Sequence, residues 1–296
     1  MTMTNWVIMP FYGAIDLTRQ AVFDVLNQSL KPLDLLLIDT HPTRESRELA
    51  RELRAFSPRV WPWHHDPPLP SLAATWNYAL ETIWAGGATQ AWVVNNDVRL
   101  HPQTYEALVK VQAITQAWFL TPVNVRDRWD AVKDSVILPY QGVIGESRGG
   151  PDFSCFLIQR ECHQWFQFDE QFIPAYHEDN DYHRRLTLAG FGDRIFSVPL
   201  PYWHKGSGTL QANEALAKEW GPKFAACQAY YIQKWGGLPH QETFPFPFDY
   251  QNGTGFDWRG QPYDPRISLT GQGRPDAVYA GPENWPWQDR SAGGTR

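Results

Sequence analysis

The chain has 296 residues, room for one large domain or two smaller ones, and a chain of this size buries roughly 75% of its unfolded surface. A hydrophobic fraction of 43% with 20% charged residues excludes wholesale disorder. A net charge of −6 leaves no global electrostatic footprint for nucleic acid or an anionic membrane. Cys155, Cys162 and Cys227 are too few and too scattered for a disulfide framework or a zinc cluster, so a reducing, cytoplasmic compartment is expected.

Asn5 to Met9 is a short apolar run broken by Pro10-Phe11-Tyr12-Gly13, and the N-terminus has neither the basic region nor the long apolar stretch of a signal peptide. Asp16 to Leu30 has helical spacing, with Leu17, Val22, Phe23, Val25 and Leu26 forming an apolar face. Asp34 to Asp39 reads as a buried strand, Arg44 to Phe56 as a charged helix, and Val60 to Trp63 as a short strand. Ser71 to Trp84 is a third helix and Gln90 to Val94 a strand ending in Asn95-Asn96-Asp97. Alternating helices and continuous apolar strands predict a parallel α/β sheet.

Beyond Pro102 a helix runs to about Ala117, then a strand near Trp118 to Thr121. The stretch from Val123 to Gly150 is irregular. Phe153 to Gln159 reads as a strand, Arg160 to Phe166 as a short helix, Glu178 to Ala189 as a helix, and Arg194 to Val198 as a strand before a Pro-Leu-Pro turn. Ala212 to Trp235 is a long helix stopped by Gly236-Gly237. From Pro239 onward the chain holds 8 Pro, 8 Gly and 10 aromatic residues with no Lys, so it is expected to drape over the body rather than hang free. No run reaches the 18 or so apolar residues of a membrane span, and no integral membrane association is expected. The 15 Trp, 12 Tyr and 16 Phe suit either a core or stacking on bases and sugar rings.

Three groups can carry chemistry. Asn95-Asn96-Asp97 closes an apolar strand, where open α/β sheets place their ligand crevice, and its carboxylate suits a hard divalent cation; an Asx cap explains the same residues structurally. His177-Glu178-Asp179-Asn180-Asp181 opens a helix, where the dipole favours acid, yet three carboxylates so close call for a compensating cation or a chemical role. Trp203-His204-Lys205-Gly206-Ser207-Gly208-Thr209 offers an imidazole for metal and Lys, hydroxyl and glycine amides for phosphate, or simply a polar loop. His64-His65 point to opposite faces of an extended chain and read as a loop.

In sequence order, Pro10-Phe11-Tyr12, Leu37-Ile38-Asp39-Thr40, Leu72 to Leu80, Asn95-Asn96-Asp97-Val98, Phe168-Asp169-Glu170, Glu178-Asp179-Asn180-Asp181 with Arg185, and His204 with Ser207 and Thr209 resemble family 2 glycosyltransferases. The resemblance implies a GT-A fold, a mixed and mainly parallel sheet flanked by helices. It also implies a nucleoside diphosphate sugar donor, Mn²⁺ or Mg²⁺, and transfer with inversion to a hydroxyl on a glycan, lipid-linked, protein or modified nucleic-acid acceptor. Residues 1–210 would form the catalytic domain, with a nucleotide-binding half over 1–100 and an acceptor half over 101–210. Residues 211–238 would be a helix packed on the body, and 239–296 an irregular extension.

By the same resemblance Asp97 and His204 would hold the metal, with Asn95 standing where the family motif usually has Asp. Pro10, Tyr12, Asp39, Asn77, Asn96, Lys205, Ser207 and Thr209 would bind the donor. Asp179 would be the general base with Glu178 as its alternative, and Trp165, Phe168 and Asp181 would line the acceptor side. A catalytically silent carbohydrate-binding protein on the same scaffold is the competing expectation; a nucleotidyltransferase would want a glycine-rich basic loop near the N-terminus, which Met9-Pro10-Phe11-Tyr12-Gly13 is not. The extension, with Phe244, Phe246, Phe248, Trp258, Trp285 and Trp287, is expected to cover the core, complete the acceptor site or form an oligomer contact.

Overall fold

The computed structural model describes residues 5–31, 33–135, 152–206, 208–211, 214–245 and 247–249. Trp258, Trp285, Trp287, Phe246 and Ser207 lie outside the described residues, as does the Thr209 side chain. The elements are β1 (Asn5–Phe11), α1 (Ile15–Leu26), β2 (Leu33–Asp39), α2 (Arg44–Phe56), β3 (Val60–Trp63), α3 (Leu72–Ala85), β4 (Gln90–Val94) and β5 (Val98–Leu100). They continue with α4 (Thr104–Thr115), β6 (Phe119–Asn124), α5 (Trp129–Val132), β7 (Cys155–Gln159), α6 (Arg160–Trp165), α7 (Glu178–Leu188), β8 (Ile195–His204), α8 (Gly208–Gln211) and α9 (Glu214–Trp235).

The strands form one sheet in the order β3-β2-β1-β4-β7-β6-β8-β5. β1 pairs in parallel with β2 and β4, β2 with β3, and β6 with β8; β7 runs antiparallel to β4 and β6, and β5 antiparallel to β8. Both faces are covered, so the apolar runs divide by the two-residue period of a strand. Val7, Met9, Trp92 and Val94 pack into one core with α1, α2 and α4, while Ile8, Ala91 and Val93 pack into the other with α3, α6, α7 and α9.

Helix starts follow local chemistry. Thr43 and Ser46 form a reciprocal capping box at α2, and Ser71 Oγ accepts from the Ala74 amide at α3. The first helix stops at Leu26 rather than Leu30 because Gln28 is committed elsewhere: its amide donates to His101 O and accepts from Tyr105 N at the start of α4. β8 runs on through the Pro-Leu-Pro expected as a turn. Its parallel pairing with β6 shifts register between Thr121 and Val123, and such an irregularity is where a strand tolerates residues without an N–H. The three-residue β5, too short to show a period, was not legible in the sequence. Among the described residues no helix is long and apolar enough to cross a membrane.

One polar network ties the second core together. Asp169 and Asp181 are fully buried with Arg185 and Lys234. Lys234 Nζ lies 2.6 Å from Asp169 Oδ2 and 2.7 Å from Asp181 Oδ1, and Arg185 Nε donates to Asp181 Oδ2 at 2.7 Å. Trp235 Nε1 donates to Asp181, Tyr230 donates to Asp169, and Arg185 also donates to Gln167 O. The network joins α7, α9 and the segment between α6 and α7. The start of the C-terminal extension adds to it, with Phe244 O accepting from Arg184 and the Phe248 ring lying 5.9 Å from Tyr230.

Removing one member of a buried ion cluster leaves its partner charged and unpaired, at a cost of about 3–5 kcal/mol. Lys234→Met is therefore expected to lower the urea-unfolding free energy by about that amount. An unfolding midpoint equal to that of the wild type would contradict this.

Candidate active site

A cavity of about 830 Å³ opens at the carboxyl ends of β1, β2 and β4, the position at which open α/β sheets bind ligands. Pro10 and Phe11 reach it from the end of β1, Thr40 and His41 from beyond β2, and Asn95, Asn96 and Asp97 from beyond β4. α9 closes the cavity with Leu216, Glu219, Trp220 and Lys223, which share one helix face. Tyr12 stacks on His41 with ring centroids 4.7 Å apart and meets the edge of Trp220 at 5.6 Å. Burial, and then the Glu219 charge, push the Tyr12 hydroxyl pKa up against the opposing pull of Lys223.

Strand register builds one pole of the cavity. β5 pairs antiparallel to β8 with Val98 opposite His204, so Asp97 emerges beside the end of β8 and its carbonyl accepts from the Lys205 amide. Asp97 Oδ1 lies 3.2 Å from His204 Nε2, and Asp97 Oδ2 accepts from the Gly208 amide at 3.0 Å. A Cβ at Gly208 would sit 3.0 Å from both Asp97 Cβ and Oδ2, so glycine lets the amide approach without displacing the carboxylate. Burial works to raise the Asp97 pKa, but the His204 hydrogen bond and charge and the Gly208 amide outweigh it and hold the carboxyl below its ordinary value. Burial works to lower the His204 pKa, and the bond to Asp97 with its charge outweighs that, leaving the imidazole raised. Asn96 is anchored through its amide, which donates to Thr18 Oγ1 at 2.8 Å.

The other pole is the start of α7. Tyr176 and His177 take left-handed backbone conformations at φ 87° and 70°, which cost non-glycine residues about 1–3 kcal/mol each. Rings from α9 hold them there: Phe224 lies 5.0 Å from Tyr176 and 5.6 Å from His177, and Tyr231 lies 5.2 Å from His177. Glu178 and Asp179 line the cavity immediately after this turn. Burial, and then the neighbouring Asp179 charge, push the Glu178 carboxyl up to about 8, and burial raises Asp179 as well. Glu178 Oε2 is buried with no hydrogen-bond partner.

Residues 6–132 match the sequence profile described as Glycosyl transferase family 2. Over that span the chain is similar to glycosyl transferase family 2. A comparison with curated protein sequences finds no match. Among solved structures the chain resembles the S. aureus TarS 1-349 fragment in complex with UDP at 12% identity and a TM-score of 0.52, covering 68% of this chain and 60% of that one. It therefore spans less than two-thirds of that fragment. It also resembles the mannosyltransferase PcManGT from Pyrobaculum calidifontis in complex with GDP-Man and Mn²⁺ (16% identity, TM-score 0.53, 80% of this chain and 78% of that one). A third likeness is to glucosyl-3-phosphoglycerate synthase from Mycobacterium tuberculosis in complex with Mn²⁺, UDP and glucosyl-3-phosphoglycerate (14%, TM-score 0.50, 76% and 80%). The fold is GT-A, as the family 2 motifs imply.

Of the residues singled out from sequence, the structure brings Pro10, Tyr12, Asn96, Asp97, Glu178, Asp179 and His204 to one cavity. Six others are turned elsewhere. Asp39 accepts from Ser46 Oγ and the His41 amide, so its carboxylate caps the approach to α2. Asn77, expected near the nucleotide, is buried with its amide spread over Phe168 N and O, His163 and Glu170. Asp181, expected on the acceptor side, is consumed by Arg185 and Lys234. Phe168 stacks on Tyr182 at 4.2 Å inside the core, and Trp165 packs against the same core. Lys205 is exposed and does not line the cavity.

Sequence reasoning missed Asp152, His41, Trp220 and Lys223. The positions of Leu216, Glu219, Trp220 and Lys223 are spaced as one helix face, but that spacing does not say what the face meets.

The raised Glu178 carboxyl makes a pH prediction. Its ordinary value is 4.5 and its native value is about 8, so between them the unfolded chain has already lost a proton that the native state holds. Native stability accordingly falls through this contribution as pH rises across that window. Glu178→Gln removes the contribution, so its unfolding free energy relative to wild type should climb from pH 5 to pH 8 and then level off. A difference that does not vary with pH in urea titrations would refute the assignment.

Proposed function

We propose that the protein is an inverting, metal-dependent glycosyltransferase of the hexosyltransferase type, moving a sugar from a nucleoside diphosphate sugar to an acceptor hydroxyl. The observation that carries this reading is the meeting of the Asp97–His204 pair and the Glu178–Asp179 pair in one cavity of a GT-A fold. The likeness to proteins crystallised with UDP or GDP-Man and with Mn²⁺ supports the donor class and the metal. Three buried free thiols are in keeping with a reducing cytoplasmic setting.

The donor set suits a divalent cation. Asp97 Oδ1 and His204 Nε2 are 3.2 Å apart, close to the roughly 3 Å between adjacent ligand atoms on a cation with bonds of about 2.0–2.2 Å. Among the described residues no third His, Cys, Asp or Glu joins them, so diphosphate oxygens would supply the remaining positions. When bound, such a cation offsets the charge that develops on a leaving diphosphate.

The chain's own groups do the rest. The Tyr12–His41 stack and Trp220 offer flat faces to the donor base, with Pro10 beside them. Lys223, rather than Lys205, brings an ammonium to the cavity; its Nζ lies 2.6 Å from Glu219. Asp179, with Glu178 beside it, takes the proton of the acceptor hydroxyl as the bond to the anomeric carbon forms. Burial prepares the pair for this by raising its proton affinity towards neutrality. Attack from the side opposite the diphosphate inverts the anomeric centre.

Calorimetric titration with UDP, GDP, CDP, ADP and dTDP, with and without Mn²⁺, tests the donor site. Metal-dependent binding of one nucleotide, lost in Asp97→Ala, is expected; no binding of any nucleotide would favour a silent sugar-binding scaffold. Asp179→Asn should slow transfer by about 10²–10⁴-fold while leaving donor binding within a few-fold of wild type. Loss of donor binding in that variant would move Asp179 out of the base role.

A further inference from the structure

We propose that Asp152 reads the hydroxyl groups of the transferred sugar and makes the donor site selective for a neutral sugar over one that carries a carboxylate. The inference rests on the glycosyltransferase reading and deepens it.

The placement follows from the sheet. β4 and β7 run antiparallel with Val94 opposite Cys155, and the Asn95 amide extends the pairing one step by donating to Ser154 O at 2.8 Å. The two strand ends therefore leave the sheet together, one towards Asp97 and the other from Asp152. Asp152 lines the same cavity as both poles, and its charge acts on His204 at one and on Asp179 at the other. A sugar attached to a diphosphate at the Asp97–His204 pole, with its anomeric carbon offered to the Glu178–Asp179 pole, has to lie along this carboxylate.

The chemistry of the position fits hydroxyl recognition. The Ser154 amide donates to Asp152 Oδ1 at 2.9 Å, and the Tyr202 hydroxyl, 2.8 Å from Ser154 Oγ, faces the same carboxylate. These contacts fix the group's orientation. A carboxylate has about four acceptor sites, so such a set leaves room for two hydroxyl donors. Asn95 stands uncharged at the end of the neighbouring strand, so Asp152 is the carboxylate available to this part of the cavity. Two further cavity-lining residues hold buried atoms without hydrogen-bond partners, the acceptor Glu178 Oε2 and the donor Trp76 Nε1. A sugar hydroxyl can serve either. A carboxylate lying along the sugar opposes an anionic one.

The test compares bare and sugar-linked nucleotides on wild type, Asp152→Asn and Asp152→Ala in the presence of Mn²⁺. The probes are UDP, UDP-glucose, UDP-glucuronate, GDP, GDP-mannose and GDP-mannuronate. Both variants should bind the preferred bare diphosphate as wild type does, which also reports that they are folded. Asp152→Ala should lose the added affinity of the neutral sugar by about tenfold or more, the effect of a charge-assisted hydrogen bond. Asp152→Asn should narrow the preference for the neutral sugar over the uronate at least several-fold. Equal weakening of bare and sugar-linked nucleotides would make Asp152 a diphosphate or metal group and overturn the proposal, as would no change in either ratio. Failure of wild type to bind any of the six would overturn the donor reading itself, and this inference with it.

Discussion

Two aspartates, one arginine and one lysine, all shut away from water, hold α7 against α9 and against the segment that precedes α7. Each charge alone would be too costly to bury; together they sum to zero and are further satisfied by Trp235, Tyr230 and backbone groups. The same contacts decide what faces the cavity. α7 begins with three carboxylates, and the two buried cations are both drawn to its third, Asp181, and to Asp169. Asp181 is accordingly held below its ordinary pKa, burial notwithstanding, while Glu178 and Asp179, buried without such partners, are raised. One turn of helix thus holds a carboxylate kept anionic and a pair whose proton affinity is raised, and the difference lies in where Lys234 and Arg185 point.

The opposite pole is tuned the other way by strand register. The pairing of Val98 with His204 brings an imidazole and an amide to Asp97, which stays a ready anion. A cavity with a lowered carboxylate at one end and a raised pair at the other separates, in the proposed mechanism, the task of holding a cation from that of accepting a proton. Asp152, whose charge acts on a residue of each pole, belongs to neither task in the proposed mechanism, which is why sugar contact is left as its role.

The sheet-forming half of the molecule was legible because its strands are buried on both faces and so read as unbroken apolar runs, as with Asp34 to Asp39 and Gln90 to Val94. Length and caps bounded the helices well where the cap chemistry was local, as at Thr43 and Ser71. Reading failed where a distant partner took over: Gln28 leaves its helix for α4, and β8 absorbs two prolines through a register shift with β6. Among the site residues the same limit applies. Asn77, Phe168 and Asp181 recur in the motifs that signalled the family, yet they act by packing and internal hydrogen bonds. A linear motif records which residue types a fold needs without telling which face of an element each occupies. Trp220 and Lys223 show the reverse, a helix face with a clear period whose partner only the tertiary structure reveals.

The family-matched span, residues 6–132, contains Tyr12, Asn95, Asn96 and Asp97 but none of Asp152, Glu178, Asp179, His204, Trp220 or Lys223. In the proposed mechanism it presents the nucleotide-side wall and half of the cation pair, but neither the proposed proton acceptor nor the closing helix. Those come from residues whose placement depends on the charge network around Lys234, far along the chain.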